Sequence, residues 1–137
     1  MTQLPDWTAR ITSPLDDKLG LTLTELTPER VCGSMPVAGN EQPMGLLHGG
    51  ATGVIIETLA SMGAMAHGYP GRAGVGVDLN VTHLLAVRSG HVHGTATALH
   101  LGRNVVTYAV EVRDDAGRLT ATGRLTCHMI DLPSTGR

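Results

Sequence analysis

Across residues 42–71 the chain is almost wholly apolar or small, and its large apolar positions follow a helical rather than an alternating order. Gln42 to Met65, QPMGLLHGGATGVIIETLASMGAM, reads as a turn-rich lead-in loop, a Gly49-Gly50 hinge and then a helix of about four turns. His67-Gly68-Tyr69-Pro70-Gly71 follows as a stop signal. On both sides of this stretch the pattern switches to period two. Gly20 to Glu25 and Arg30 to Met35 predict two short strands, and Pro36 to Gly45 a loop that delivers Gln42 and His48 to the helix start. Ala73 to Leu84, His91 to Leu101, Asn104 to Arg113 and Arg118 to Ile130 predict four longer strands, with turns at Ser89-Gly90, Gly102-Arg103 and Asp114 to Gly117. In the first of these, Val75, Val77, Leu79 and Val81 share one face and Asp78, Asn80 and Thr82 the other. The fold class is therefore α+β: an antiparallel sheet of about five to six strands wrapped around one long helix. Residues 1–19, with Pro5, Pro14 and Asp16-Asp17, read as an arm or short helix, and Leu132 to Arg137 as a frayed tail.

One position breaks the apolar pattern. Between Glu41 and Arg72 the only Asp, Glu, Lys or Arg is Glu57, set among Val54, Ile55, Ile56, Leu59 and Met62. A carboxylate buried there without partners would cost several kcal/mol, so Glu57 either reaches solvent along a narrow face or is held for chemistry. Its helical neighbours Gly53, Val54, Ala60 and Ser61 offer no charged companion, which favours chemistry.

Composition narrows the reading. A chain of 137 residues is one domain, small enough that partner subunits would help to bury its surface. With no Phe, one Trp and two Tyr, the core must be aliphatic. A net charge of −2 gives no general attraction to nucleic acid or to anionic membranes. Gly49 to Ala66 is about one bilayer long, but four glycines and Glu57 argue against a membrane span. The N-terminus lacks the basic-then-apolar order of a signal peptide, and Cys32 and Cys127 read as reduced, buried thiols; a cytoplasmic location is the expectation.

Gln42, His48-Gly49-Gly50, Glu57, Ser61 and His83, at these spacings, resemble the hotdog-fold acyl-CoA thioesterases of the 4-hydroxybenzoyl-CoA and PaaI-like type. The similarity runs from about Leu21 to Ile130 and is greatest to the branch with an acidic residue nine positions after the motif histidine. That branch includes thioesterases for aromatic acyl-CoAs such as 1,4-dihydroxy-2-naphthoyl-CoA. The resemblance implies a hotdog fold, an acyl-CoA substrate, no cofactor and no metal. It also implies a site shared between subunits, with Glu57 and Ser61 from one and Gln42, His48 and Gly49 from its neighbour. Ser61 and His83 would orient the attacking water, and Met62 would line the acyl pocket, with Gly50 among the substrate-binding residues.

The residue types suit that chemistry independently. Cleaving a thioester needs a polarised carbonyl, and the start of a helix presents unsatisfied N–H groups at its positive end. Gly49 allows the backbone close to the substrate, making its N–H the expected oxyanion donor, with Gln42 or His48 steadying the carbonyl or the loop. Thiolate leaves readily, so what remains is a nucleophile or a base for water, and Glu57 can be either. Glu57 lies eight residues beyond Gly49, about 12 Å along a helix. One chain cannot close such a site, whereas two helices antiparallel across a two-fold axis close two. A homodimer is the expected active unit and a homotetramer the expected assembly. Ser61, one turn after Glu57, shares its face.

Other residues carry weaker signals. Arg88 and Arg103, at sheet turns, are candidates for the coenzyme A phosphates, with solvated arginine as the bland alternative. His91 and His93 share a strand face but lack a third metal ligand, and His67 reads as a helix-end residue. Two rival functions stand beside hydrolysis: a non-catalytic acyl-CoA-binding module, disfavoured by Glu57, and a hotdog enoyl-CoA hydratase, whose acid and base signature is missing at this helix start.

Overall fold

The structure, a computed structural model, describes residues 3–133. Part of the expected arm (residues 1 and 2) and most of the expected tail (134–137) lie outside the described residues.

A 3-10 turn at Asp6–Arg10 and a short helix α1 (Pro14–Leu19) precede strands β1 (Thr22–Leu26) and β2 (Arg30–Pro36). The long helix α2 (Gly49–Gly68) follows, then β3 (Arg72–His83), β4 (His91–Leu101), β5 (Val105–Asp114) and β6 (Leu119–Asp131). All neighbouring strands are antiparallel, in the order β1-β2-β4-β5-β6-β3, so the strand after the helix crosses the whole sheet to pair with the last.

α2 is longer than the sequence pattern predicts. Its 20 residues make about five and a half turns. Gly49 and Gly50 are its first turn rather than a hinge before it, and it continues through His67 and Gly68. Pro70 ends it, because the residue before a proline is driven from helical to extended geometry, and Tyr69 sits at φ −57°, ψ 139°.

The sheet curls around α2, whose Ile55, Ile56, Leu59 and Ala60 are completely buried. They meet Val31 and Met35 of β2, Val92 and Ala96 of β4, Val106 and Val110 of β5, and Leu125 of β6. The aliphatic expectation holds for this core apart from Tyr108, which is fully buried and donates its hydroxyl to the Pro28 carbonyl. The ring fits because α2 has a glycine above it. A Cβ on Gly63 would stand 2.6 Å from Tyr108 Cζ and Oη. Gly63→Ala is therefore expected to destabilise the fold by about 2–3 kcal/mol through overpacking, read as a lower urea midpoint. Wild-type stability would show that the ring has room to move.

Two edges remain, β1 and β3. On β3, Val75, Val77 and Leu79 are 48%, 64% and 39% exposed. They do not form one continuous face. The register with β6 slips between Gly76 and Asp78, a bulge at Val77 that switches which residues face α2.

Candidate active site

The start of α2 is fixed from three directions. The Leu47 N–H donates to the Val87 carbonyl (2.8 Å) and the His48 N–H to the Asn40 carbonyl (2.8 Å), which ties the loop to its neighbours. His48 is the N-cap: its Nδ1 accepts the Gly50 N–H at 2.8 Å, which leaves the proton on Nε2. Gly50, expected among substrate-binding residues, thus has its N–H committed to the cap. The Gly49 N–H has no acceptor among the described residues and stands at the positive end of the helix.

Gln42 stabilises the loop in front of the cap. Its Oε1 accepts from the Met44 N–H (2.5 Å) and the Leu46 N–H (3.4 Å), so its amide NH₂ is the end left for another partner. His83, the last residue of β3, lies directly against Gly49: a Cβ there would be 3.0 Å from His83 Nε2. Gln42, Gly49, Thr52, His83, Leu85 and Thr120 line a cavity of about 350 Å³.

Glu57 belongs to a different cavity. It is exposed on the middle of α2, and its Oε1 lies 3.3 Å from where Gly76 of β3 would carry a Cβ. The missing side chain in β3 makes room for the carboxylate. Gly76→Ala should push Glu57 by a few tenths of an ångström and lower kcat about tenfold with the fold retained, in line with the sensitivity of reacting groups to small displacements. An unchanged kcat would mean that the carboxylate's seat on β3 is unimportant. Ser61 lies one turn further on, facing Cys127 of β6. The Cys127 thiol is pushed up to about 11, first by burial and then by the nearby Glu57 charge, while a hydrogen bond from Ser61 opposes the shift. At neutral pH it is a protonated thiol, a poor nucleophile. Glu57, Ser61 and Met62, with Val54, Thr58 and Met65, form one side of a cavity of about 530 Å³.

The predicted site residues therefore fall into two groups within one chain. Glu57, Ser61 and Met62 share one cavity; Gln42, Gly49 and His83 share the other. His83, expected to work with Ser61, is placed beside Gly49. Arg88 precedes β4 and Arg103 follows it, and an eleven-residue strand separates them by about 35 Å, so one protomer cannot bring both to the same phosphate. Cys127 is buried as expected, while Cys32 is only half-buried. His93 Nε2 is bonded to Asp115 Oδ1 at 2.6 Å, and the His91 ring lies 6.4 Å from that of His93. His67 does sit in the last turn of α2, its Nε2 2.9 Å from the Gly102 carbonyl oxygen.

Three residues with positioning roles carry little mark in the sequence. The Asn40 side chain is buried and donates from Nδ2 to the Leu19 and Pro36 carbonyls, at 2.7 and 2.8 Å. Thr58 donates to Asp16 Oδ1 at 2.8 Å across 42 residues of chain. Asn40 follows Gly39 in a turn-like stretch, a weak signal; nothing in the pattern marks the Thr58–Asp16 pair.

A family model described as the thioesterase superfamily matches residues 44–121, from the lead-in loop to the first residues of β6. The chain belongs to the thioesterase superfamily. Thioesterase superfamily members resemble it over most of its length. It is 43% identical to the proofreading thioesterase EntH of Klebsiella pneumoniae subsp. pneumoniae, over 78% of this chain and 79% of that protein. A crystallised thioesterase of Haemophilus influenzae superposes with a TM-score of 0.88 at 30% identity, covering 100% of this chain and 96% of that one. A thioesterase of Pseudomonas aeruginosa gives 0.86 at 34% identity, over 95% and 97%. The wrapped-helix architecture is accordingly the hotdog fold, and the chain is a thioester hydrolase. Among the described residues, no helix is long and apolar enough to cross a membrane.

Proposed function

We propose that this thioesterase hydrolyses acyl-CoA thioesters, with an aromatic acyl group as the favoured class, through a site completed only in a homodimer. The observation that carries the reading is the division of the chemical groups. The carboxylate opens into one cavity and the Gly49 N–H, without an acceptor among the described residues, into another, about 12 Å away along α2. The edge of β3 supports pairing of two chains, since it carries unpaired backbone groups and the exposed Val75, Val77 and Leu79. In the dimer, the Gly49 N–H of one protomer polarises the carbonyl, with Gln42 and His48 holding the loop that presents it. Glu57 of the other attacks the carbonyl carbon or activates water, and Ser61 and His83 orient that water. Met62 lines the acyl pocket. On this reading the chain belongs with the hotdog thioesterases that use a catalytic glutamate, acting as a homodimer within a homotetramer and in the cytoplasm.

The test is thiol release from a panel of aromatic and aliphatic acyl groups, each presented both on coenzyme A and on the phosphopantetheine of a carrier protein. Highest kcat/KM for an aromatic acyl-CoA supports the proposal. Preference for the carrier-bound form, or for aliphatic groups, replaces that part of it.

A further inference from the structure

The cavity beside Glu57 has two walls of different construction. One is α2, whose inner face is anchored in the core. The other is the segment from Thr8 to Leu21, which neither the family motif nor the matched residues include. We propose that this N-terminal segment is the specificity wall of the thioesterase: it sets the size of acyl group admitted beside Glu57 and restricts the cavity to uncharged ones. The inference rests on the acyl-CoA reading above.

The construction of the wall is unusual for a structural element. Neither the 3-10 turn nor α1 contains a buried residue. A six-residue helix has no stability of its own, so external contacts decide where it sits. Those contacts are few. Asp16 uses both carboxylate oxygens, Oδ1 accepting from Thr58 Oγ1 on α2 at 2.8 Å and Oδ2 from Ser13 Oγ at 2.6 Å at the start of α1. Asn40 holds the Leu19 carbonyl, and the Trp7 ring stacks on Tyr69 with centroids 4.9 Å apart. Ile11, Leu19 and Leu21 pack against the rim of the core without being fully buried, and a wall held by such edge contacts and a small set of side-chain bonds can be displaced without unfolding the sheet. Thr58 is also the residue next to Glu57, so the clasp stands at the mouth of the reaction site.

The lining gives the chemical class. Ile11, Leu15, Val54, Met62 and Met65 supply apolar surface, and Leu15 is 55% exposed although it faces the cavity. Among the described residues the charged groups of the lining are all carboxylates, Asp16, Asp17 and Glu57, with no Lys or Arg. An acyl group ending in its own carboxylate meets like charge and no counterion, whereas an uncharged one meets only apolar and hydroxyl surface.

Binding of non-hydrolysable S-alkyl-CoA thioethers, measured by calorimetry, tests the wall without relying on catalysis. The series would hold S-ethyl, S-hexyl, S-benzyl and S-(5-carboxypentyl) groups. In the wild type the carboxylate-ended member should bind about fivefold or more weakly than S-hexyl, and Asp17→Asn should narrow that gap. Thr58→Val, which removes the clasp hydroxyl at constant shape, should change the benzyl-to-ethyl affinity ratio by about threefold, and Thr58→Ser should keep the wild-type ratio. Trp7 emission, the only tryptophan signal in the chain, should become more accessible to acrylamide in Thr58→Val and not in Thr58→Ser. An unchanged affinity ratio in Thr58→Val, equal binding of the charged and uncharged groups, or no binding across the series overturns the proposal. Normal binding with no hydrolysis of the matching thioesters would instead defeat the catalytic reading and leave the wall intact.

Discussion

Replacing Glu57 by glutamine is expected to lower kcat by about a thousandfold or more while the protein stays folded and assembled, because the amide has neither the nucleophilic lone pair nor the basicity of the carboxylate. The substitution is nearly isosteric, and the side chain is exposed in the single chain, so the core does not feel it. Nothing nearby can substitute. Ser61 is a hydroxyl without an adjacent base, and the Cys127 thiol is buried and protonated at neutral pH. Steady-state kinetics of Glu57→Gln beside wild type, with circular dichroism as the control, gives the answer, and near-normal turnover would remove both roles assigned to Glu57. Repeated turnover in labelled water separates those roles. Label entering the Glu57 side chain indicates a mixed anhydride, and an unlabelled side chain indicates direct attack by water.

The second large effect is a gain. Glu57→Ala and Gly49→Pro chains should each be inactive, and mixing them should restore about a quarter of wild-type activity per site. Gly49→Pro removes the N–H that faces the developing oxyanion, and proline is tolerated in the first turn of a helix, where Gly49 sits. In a mixed dimer one site collects both lesions, and the other combines an intact Glu57 with an intact Gly49. Random exchange makes half the dimers mixed, each with one working site. Both parents must be folded, and exchange must be verified by mass-tagged subunits. Full exchange without recovered activity would mean that Glu57 and Gly49 do not meet across an interface.

The strands were legible because their signals are local. β4 has the predicted limits His91 and Leu101, set by glycine-containing turns on either side, and β5 and β6 each shift by one residue at both ends. Glu57 stood out in the sequence as the one charged residue of an apolar run, but the chain leaves it exposed beside a cavity, so the cost of burying a carboxylate does not by itself assign it a task. The end of α2 was harder to place, since His67-Gly68 looks like a stop while the enforced stop is Pro70. The bulge in β3 was hidden by regular alternation: Val75 to Val81 reads as one apolar face, yet the register slip divides it. The N-terminal wall was missed for a more basic reason. Its polar and apolar residues alternate without a clear period, its helix is too short to show one, and its partners Thr58 and Asn40 lie far along the chain, so only the tertiary fold shows what it adjoins.

Asn40 connects features that sequence keeps apart. Its side chain grips the end of α1, and its carbonyl receives the His48 N–H at the start of α2. The end of α1 and the start of α2 thus hang from one residue, the first by its side-chain carboxamide and the second by its main-chain carbonyl. On the proposed reading, a side-chain substitution at position 40 releases the wall while leaving the main-chain bond to His48 in place, so acyl preference and rate should be separable at that one residue.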